Sequence, residues 1–417
     1  MDLHLMGQEA KVASRFLAQM TTQQKNAVIS AIADRLESEK DNIVAINKQD
    51  YKEAEQKGME PFMLDRLSLD GRVEGIVADL RHVVHLNDPV GEIFDKTTRE
   101  DGLKICKIRT PIGVIGVIYE SRPNVTLDIA SLCLKTGNAA ILRGGSETLR
   151  TNRILVKLIQ DVLKEHSVPV SAIQFIDSND RSLVKEMLQQ SDTIDLIIPR
   201  GGEKLHRFCR ENSHIPVITG GIGVCHLFVD ETAQVDKAIK VLHNAKTQRP
   251  TVCNSLDTVI VHAKIAEQFL PKMALALLPS NVTLHADTAS QCIFNNNQIV
   301  NIAAQEKDWD REWLTLDLGV KVVDDLSQAI EHIQKHSTKH SDGILTEDQD
   351  HAKRFIREID SAAVYVNAST RFTDGAQLGL GAEVAVSTQP LHARGPMGLQ
   401  ELTTYKWIVE GEYHVRS

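Results

Sequence analysis

The sequence predicts an α/β protein built from two domains, each with a parallel sheet. The chain has 417 residues, which is more than one ordinary hydrophobic core holds, so two or three domains are expected. From residue 113 to residue 366, short apolar segments alternate with segments of helical periodicity. Short strands joined by helices are typical of parallel sheets with crossover connections.

Composition excludes several classes of protein. The net charge of −9 argues against general binding to nucleic acids or membrane surfaces. The six cysteines are irregularly spaced without a C-x-x-C pair, which favours reduced thiols in a cytoplasmic protein. We expect no signal peptide and no membrane span, because the N-terminus lacks a basic and apolar leader and no apolar run approaches about 18 residues.

The N-terminal part is predicted to be helical, followed by a hairpin. Apolar residues recur at spacings of three and four through residues 2–57, and Thr21-Thr22 is expected to cap the second helix. A third helical stretch is predicted near 70–85. Loose alternation over 96–109 then indicates a hairpin.

Two alternating series follow. The first contains predicted strands at 113–118, 139–142, 172–176, 194–198 and 224–229, with helices at 127–136, 148–164, 182–189 and 203–212. The second contains predicted helices at 233–245, 263–278, 326–336 and 349–359, with strands at 258–261, 321–323, 343–345 and 363–366. Residues 368–398 are Gly-rich and expected to be irregular, and 403–409 is a predicted terminal strand.

Cys253 is the strongest candidate for a reactive residue. It lies in Thr-Gln-Arg-Pro-Thr-Val-Cys-Asn, with polar neighbours on both sides and the cationic Arg249 four residues earlier. A nearby positive charge favours the thiolate, which is a good nucleophile for acyl chemistry. The alternative is a buried structural cysteine, which is the commoner fate of this residue type.

Three predicted strands end in paired glycines, which let the backbone approach a ligand closely. The glycines are Gly144-Gly145 after Arg143, Gly201-Gly202 after Arg200, and Gly220-Gly221. None forms a G-x-G-x-x-G motif, and turn geometry alone could require glycine there. Together with the adjacent arginines, they favour a nucleotide-phosphate site.

Two further patterns favour structural roles. His332, His336 and His340 are spaced by four, but Ser337-Thr338 is expected to end the helix before His340, so a solvated helix end is favoured over a metal site. No metal is expected. Trp309 and Trp313 are predicted to pack on one face of a helix.

The chain resembles the aldehyde dehydrogenase superfamily, and within it the branch that reduces L-glutamate 5-phosphate in proline biosynthesis. The resemblance covers nearly the whole chain. It is carried by the strand at 113–118, the glycine turns, Cys253 and the strings at 119–125, 219–226, 244–254, 367–375, 392–398 and 398–406.

The resemblance implies an aldehyde dehydrogenase-like fold. A dinucleotide-binding domain would span 1–228, with an oligomerisation hairpin at about 96–110, a catalytic domain with Cys253 would span 229–395, and a C-terminal oligomerisation strand would span 396–417. It also implies that NADPH reduces L-glutamate 5-phosphate to the 5-semialdehyde with release of phosphate. A homo-oligomer is implied, with a glutamate 5-kinase as a candidate partner.

Roles for individual residues follow from this resemblance. Cys253 would attack the acyl phosphate, with its own N–H and the Asn124 side chain stabilising the oxyanion. Arg143 would meet the 2′-phosphate of NADP, although a solvated arginine is an equal alternative. Either Glu312 or Asp317 would contact the nicotinamide ribose.

The substrate carries a carboxylate and a phosphate, so it needs cationic partners. Arg122, Arg371 and Arg394 lie in predicted loops and are candidate anion-binding residues. A surface arginine, however, is usually only solvated.

Other functions remain open from the sequence. An aldehyde-oxidising dehydrogenase is disfavoured, because Val-Ile-Thr-Gly-Gly at 217–221 lacks the carboxylate that activates water in that branch. A cofactor-independent hydrolase or acyltransferase would pair Cys253 with His226 or His243. A non-catalytic nucleotide-binding scaffold is the third alternative, and the intact Cys253 segment argues against it.

Overall fold

A computed structural model describes residues 2–220 and 222–416 of the chain. These residues form two compact units. The first comprises residues up to Thr219 together with Gly379–Ala385 and the stretch from Met397, and the second comprises Gly220–Leu378 and Val386–Pro396. The division falls at 219/220, whereas the sequence placed a domain boundary at 228/229.

The described residues contain fourteen α-helices, and many begin at a side-chain cap. Thr21 accepts a hydrogen bond from Gln24 N while the Gln24 side chain accepts one from Thr21 N, which confirms the predicted cap and is typically worth about 1 kcal/mol. The helices are α1 Leu3–Leu17, α2 Thr22–Ser38, α3 Lys40–Gln56, α4 Pro61–Leu67, α5 Val73–His85, α6 Asn124–Lys135, α7 Leu149–Glu165, α8 Ser182–Met187, α9 Glu203–Asn212, α10 Val235–Thr247, α11 Ala263–Leu277, α12 Thr288–Asn296, α13 Leu326–His336 and α14 Gln349–Glu358.

Sixteen strands are present in the described residues. They are β1 Ile93–Thr98, β2 Lys104–Pro111, β3 Val114–Tyr119, β4 Ala139–Arg143, β5 Ile173–Phe175, β6 Leu196–Arg200, β7 Cys225–Val229, β8 Leu256–His262, β9 Thr283–Ala286, β10 Ile302–Ala303, β11 Asp317–Val323, β12 Ser341–Leu345, β13 Ala363–Val366, β14 Ala385–Ser387, β15 Gly395–Met397 and β16 Thr403–Glu410. The strands β14 and β15 pair with each other.

The first unit contains a four-stranded parallel sheet in the order β5-β4-β3-β6. The chain moves outward from β3 to β4 and β5 and then returns to place β6 on the other side of β3. This reversal creates a switch point at the carboxyl ends of β3 and β6, where ligands commonly bind in parallel sheets. Every residue of β3 and β4 is buried, as expected for strands covered on both faces.

The same unit carries a three-stranded antiparallel sheet in the order β1-β2-β16. The predicted hairpin forms β1 and β2, and the predicted terminal strand pairs along the whole of β2, from Thr403 opposite Pro111 to Glu410 opposite Lys104. The strand β16 therefore lies at an edge of this sheet.

The second unit contains a seven-stranded parallel sheet in the order β10-β9-β11-β8-β7-β12-β13. Its strands are rich in Val, Ile and Leu because helices cover them, and their side chains pack against Phe269 and Phe294 on one face and Phe355 on the other. Two parallel-sheet regions were predicted, and both are confirmed.

Some predictions were incomplete or wrong. The elements α4, β9, α12 and β10 were not predicted, and neither were β14 and β15, which form within the stretch expected to be irregular. The helix proposed to carry Trp309 and Trp313 is wrong, because a single 3-10 turn at Glu306–Asp308 precedes Trp309 and no helix follows. Both indoles are nevertheless buried, so their spacing of four reflects packing of an irregular segment.

Candidate active site

Cys253 lies in the tight turn between α10 and β8. It therefore precedes β8 and lies at the amino end of the seven-stranded sheet. Ligands of parallel sheets usually bind at the opposite, carboxyl edge. The side chain is half-buried. The turn is closed by a hydrogen bond from Ser255 N to Val252 O at 3.0 Å, which holds Cys253 between a helix end and a buried strand.

The residue after the cysteine fixes the turn to a distant segment. The Asn254 side-chain amide donates to Thr373 O at 2.9 Å, and the Thr370 hydroxyl donates to Asn254 O at 2.7 Å. Asn254 is almost completely buried, so these bonds are shielded from water and stronger for it. The loop at 369–373 thus holds the Cys253 turn from a position more than a hundred residues away.

The segment before β7 lies directly against the carbonyl group of Cys253. A Cβ at position 223 would overlap the Cys253 carbonyl oxygen, so only glycine fits there. The Cys225 thiol donates to the same oxygen at 3.2 Å. Burial raises the pKa of Cys225 well above its usual range, so this thiol stays protonated and acts as a donor.

Glu312 is part of this arrangement. Its Oε1 accepts a hydrogen bond from Gly223 N at 3.0 Å, so the carboxylate supports the glycine that packs against Cys253. The alternative ribose contact, Asp317, accepts from the His285 ring and from the Thr315 hydroxyl. Gly220 packs against the carbonyl of Val386 and pairs with Ser387, whereas Gly221 lies outside the described residues.

Arg371 belongs to the same unit as Cys253. Its Nε donates to the Gln248 side chain at 3.1 Å. Partial burial lowers the pKa of Arg371, and negative charge on Cys253 opposes that shift. The guanidinium and a Cys253 thiolate therefore attract each other.

Arg394 is paired within the chain. Its Nη1 donates to the Asp360 carboxylate at 2.8 Å, and its Nη2 donates to the carbonyl of the same residue. This pairing lowers the pKa of Asp360. Arg394 therefore anchors its own loop to the segment after α14.

In the first unit, the carboxyl ends of β3 and β4 carry the predicted phosphate-binding turn. Arg143 ends β4, is buried, and donates from Nη1 to the neighbouring Gly144 O at 2.8 Å, while its Nε is buried without a partner. A Cβ at Gly144 would overlap Asn152, and one at Gly145 would overlap Glu147. Glycine is therefore required at both positions, because Asn152 and Glu147 occupy the space that a Cβ would take.

The carboxylate of Glu147 closes the turn after β3. Its Oε1 accepts from both the backbone N–H and the hydroxyl of Ser121, each at 2.8 Å. Ser121 adopts a left-handed φ of 46°, a conformation that non-glycine residues seldom adopt without such support.

The turn after β6 already holds a carboxylate. Gly202 N, at the N-terminus of α9, donates to Glu120 Oε2 at 3.1 Å, and Glu120 N donates to Arg200 O. A Cβ at Gly201 would overlap the Glu120 carboxylate. This turn, one of the three expected to contribute to a nucleotide-phosphate site, therefore already binds an anionic group of the chain itself.

Asn124 is the first residue of α6. Its side-chain amide donates to Asp128 Oδ2 at 2.8 Å, one helical turn further on. Arg122 precedes this helix and contributes a positive charge near Asp128, as does Arg200. The structure therefore groups Asn124, Arg122 and Arg200 around one carboxylate in the first unit.

The histidines have structural partners. His226 is fully buried in β7 and bonds to Asp342 at 2.8 Å, and His243 bonds to Thr247 on α10. The helix α13 ends at His336 as predicted. The predicted solvated helix end is wrong, because His332, His336 and His340 are all buried.

This burial has a packing cause. The His332 ring lies 5.5 Å from His226, 4.5 Å from His336 and 5.4 Å from Trp309, centroid to centroid. Burial lowers the pKa of His332 to about 2 and that of His340 to about 4. In the described part of the chain, no group of three or more His, Cys, Asp or Glu residues is arranged to hold a metal ion.

The sequence analysis missed several residues that position the site. Gly223 and Asn254 lie within the strings that carried the family resemblance, so that resemblance could have found them. Glu120 accepts a hydrogen bond from a residue that is 82 positions away in sequence, and Glu147 accepts one from a residue 26 positions away. No local pattern indicates such partners. None of the described helices is long and apolar enough to cross a membrane.

Comparison with known proteins identifies the family of the chain. The model of the aldehyde dehydrogenase family matches residues 1–312. A gamma-glutamyl phosphate reductase of Escherichia coli O127:H6 is 55% identical over 416 residues, which cover 100% of both chains.

Solved structures give the same result. The gamma-glutamyl phosphate reductase of Thermotoga maritima is 47% identical, with a TM-score of 0.96 and complete coverage of both chains. The enzyme of the same name from Saccharomyces cerevisiae is 30% identical, with a TM-score of 0.55 over 100% of this chain and 99% of that one. The chain belongs to the aldehyde dehydrogenase family, and within that family to the gamma-glutamyl phosphate reductases.

Proposed function

We propose that this chain reduces L-glutamate 5-phosphate to L-glutamate 5-semialdehyde with NADPH and releases phosphate, a step of proline biosynthesis. The observation that carries the proposal is the 55% identity to a gamma-glutamyl phosphate reductase over the full length of both chains. The half-buried Cys253 in its anchored turn supplies the nucleophile that such a reaction needs.

The first half of the reaction transfers the acyl group to sulfur. The Cys253 thiolate attacks the acyl-phosphate carbonyl carbon, and the carbonyl electron pair moves onto oxygen. That pair then returns, the bond to the phosphate oxygen breaks, and phosphate leaves with its electrons. The Cys253 N–H and the Asn124 side chain are the proposed donors to the transient oxyanion.

The second half reduces the thioester. A nicotinamide cofactor, when bound, would supply the hydride that the thioester carbon accepts. The carbon–sulfur bond then breaks, which releases the aldehyde and regenerates the Cys253 thiolate. The attraction between this thiolate and Arg371 favours the leaving sulfur in its charged form.

The first unit has features that fit such a cofactor. Its parallel sheet has a switch point, and Gly144 and Gly145, which follow β4, lie where neighbouring side chains leave no room for a Cβ. The buried, unpartnered Nε of Arg143 is a donor in need of an acceptor. We propose Arg143 for the 2′-phosphate of NADP, and Gly144, Gly145, Arg200, Gly201, Gly202, Gly220, Gly221 and Glu312 as the remaining cofactor-binding residues.

The carboxylate and phosphate groups of the proposed substrate require cationic partners. The candidates are Arg122, Arg371 and Arg394. Arg394 already pairs with Asp360, so its contribution to anion binding should be the smallest of the three. Arg371 has the strongest support, because its guanidinium and a Cys253 thiolate attract each other.

An oligomer is also proposed, through β16 at the edge of the antiparallel sheet. Tyr405, Trp407 and Val409 alternate along this strand, share one face and are about half exposed. An edge strand with exposed aromatic side chains is typical of an interface. A glutamate 5-kinase, which would supply the unstable acyl phosphate, is the proposed functional partner.

The proposed function is tested in the reverse direction. NADP reduction is followed by absorbance with glutamate 5-semialdehyde, with and without phosphate. We expect reduction that depends on phosphate, with NAD a poorer substrate. Phosphate-independent turnover that yields glutamate would instead identify an aldehyde-oxidising dehydrogenase, and turnover without any dinucleotide would identify a Cys-dependent hydrolase.

A further inference from the structure

The carboxylate of Asp128 is the acidic group that contacts the proposed oxyanion donor. Asn124 and Asp128 are four residues apart on α6, so their side chains lie on the same face of the helix. The Asn124 Nδ2 donates to Asp128 Oδ2 at 2.8 Å. Asp128 is half-buried in a helix whose other residues are mostly buried, so its contact with Asn124 is partly shielded from water.

The chemistry of the pair fixes the orientation of the amide. A carboxylate only accepts hydrogen bonds, so Asn124 must turn its NH₂ group towards Asp128 and its carbonyl oxygen away. One N–H of that group is used by Asp128, and the second remains to donate elsewhere. Without an acceptor-only neighbour, the amide could rotate and present its oxygen, which would repel an oxyanion.

We propose that Asp128 is a positioning residue that holds the Asn124 amide in the orientation required for oxyanion stabilisation. This inference rests on the proposed function and names a residue that acts on the reaction only through Asn124. The ionised carboxylate also polarises the amide, which strengthens donation by its second N–H.

The protonation state of Asp128 then controls the orientation of the amide. Burial raises the pKa of Asp128 to about 6, with Asp79 of α5 raising it further and Asn124, Arg200 and Arg122 lowering it. Above that value the carboxylate accepts from Asn124. Below it, the protonated acid can itself donate to the amide oxygen, so the required orientation is lost as the pH falls through about 6.

The test is the pH profile of kcat for phosphate-dependent NADP reduction between pH 5 and 8. We expect kcat of the unmodified enzyme to fall below about pH 6. Asp128→Asn should lower kcat at pH 7.5 by about tenfold, remove the acid limb and leave KM for the aldehyde nearly unchanged. Retention of the acid limb in folded Asp128→Asn, or equal losses in kcat and in affinity, would overturn the inference.

Asp79→Asn is the matched control, because it removes a carboxylate that acts on Asp128 without touching Asn124. Loss of that negative charge should move the acid limb to lower pH while kcat at pH 7.5 stays unchanged. If Asp128→Asn fails to fold, this shift still decides the question, and an unmoved limb would contradict the inference.

A double substitution isolates the route through Asn124. In an Asn124→Ala background, Asp128→Asn should have no further effect on kcat, because its only role in the reaction is already lost. Independent, additive losses would contradict the inference. The unmodified enzyme could depend on phosphate while Asp128→Asn leaves the pH profile unaltered. That result would overturn the role of Asp128 and leave the proposed function intact.

Discussion

The Cys225 thiol donates to the backbone carbonyl of Cys253, with Sγ and O 3.2 Å apart. Two cysteines therefore lie side by side with different environments, one fully buried and one half-buried. Burial keeps Cys225 in the thiol form, in which it serves as a hydrogen-bond donor. Cys253 is the more accessible thiol of the pair.

Selective alkylation should distinguish these thiols. We expect iodoacetamide to label Cys253 fastest in the native protein at neutral pH, since the charges of Arg249 and Arg371 favour its thiolate. Cys133 and Cys209 should react slowest together with Cys225, because burial raises the pKa of each of the first two to about 12. Peptide mass spectrometry over time measures the order, and equal labelling of all six cysteines would count against an activated thiol.

Replacing the nucleophile should separate chemistry from binding. Cys253→Ala should lower turnover by roughly a thousandfold or more, because no thioester can form. Affinity for NADPH, measured by fluorescence titration, should remain nearly unchanged. Cys292→Ala, at an exposed cysteine, is the matched control and should retain full activity. Retained turnover in Cys253→Ala would remove the proposed mechanism.

The glycine that packs against Cys253 should tolerate no side chain. Gly223→Ala places a methyl group on the Cys253 carbonyl oxygen, so the turn must shift, and kcat should fall by about a hundredfold. Gly75→Ala is the control, because a Cβ there meets no atom within 4 Å and the residue lies in α5. The control should keep full activity and gain stability of up to about 1 kcal/mol. Wild-type kcat in Gly223→Ala would show that the contact is unimportant.

Cofactor selectivity should depend on Arg143. Arg143→Ala should raise the dissociation constant for NADPH by about tenfold or more and that for NADH much less, since only the former carries a 2′-phosphate. Thermal unfolding of the variant checks that removal of this buried side chain leaves the fold intact. An equal weakening for both cofactors would place Arg143 against a part that they share.

Local sequence patterns predicted those helices and strands whose buried face shows as a regular spacing of apolar residues. The spacing of apolar residues located α2, and alternation located the hairpin and β16, because periodicity records which face is buried. The segment containing α12 was missed because it ends in the polar run Asn295–Asn297 and lacks a clear apolar stripe. Strand order in both sheets follows from pairings between distant segments, which a local pattern does not specify.

The candidate site shows the same limit. Cys253 was predicted from its immediate neighbours, but the contacts that hold it come from Gly223, Thr370 and Thr373. His332 was expected at a solvated helix end, yet it is buried against His226 and Trp309. Such burial results from tertiary packing, which a single helix does not reveal.

The central claim is that Cys253 carries an acyl group that phosphate, and not water, removes. Rapid mixing of the enzyme with NADP and glutamate 5-semialdehyde in the absence of phosphate measures this most directly. We expect a burst of NADPH equal to the concentration of active sites, a stable acyl adduct on the Cys253 peptide by mass spectrometry, and steady turnover once phosphate is added. Continuous NADPH formation without phosphate, or a burst with no adduct on Cys253, would contradict the account.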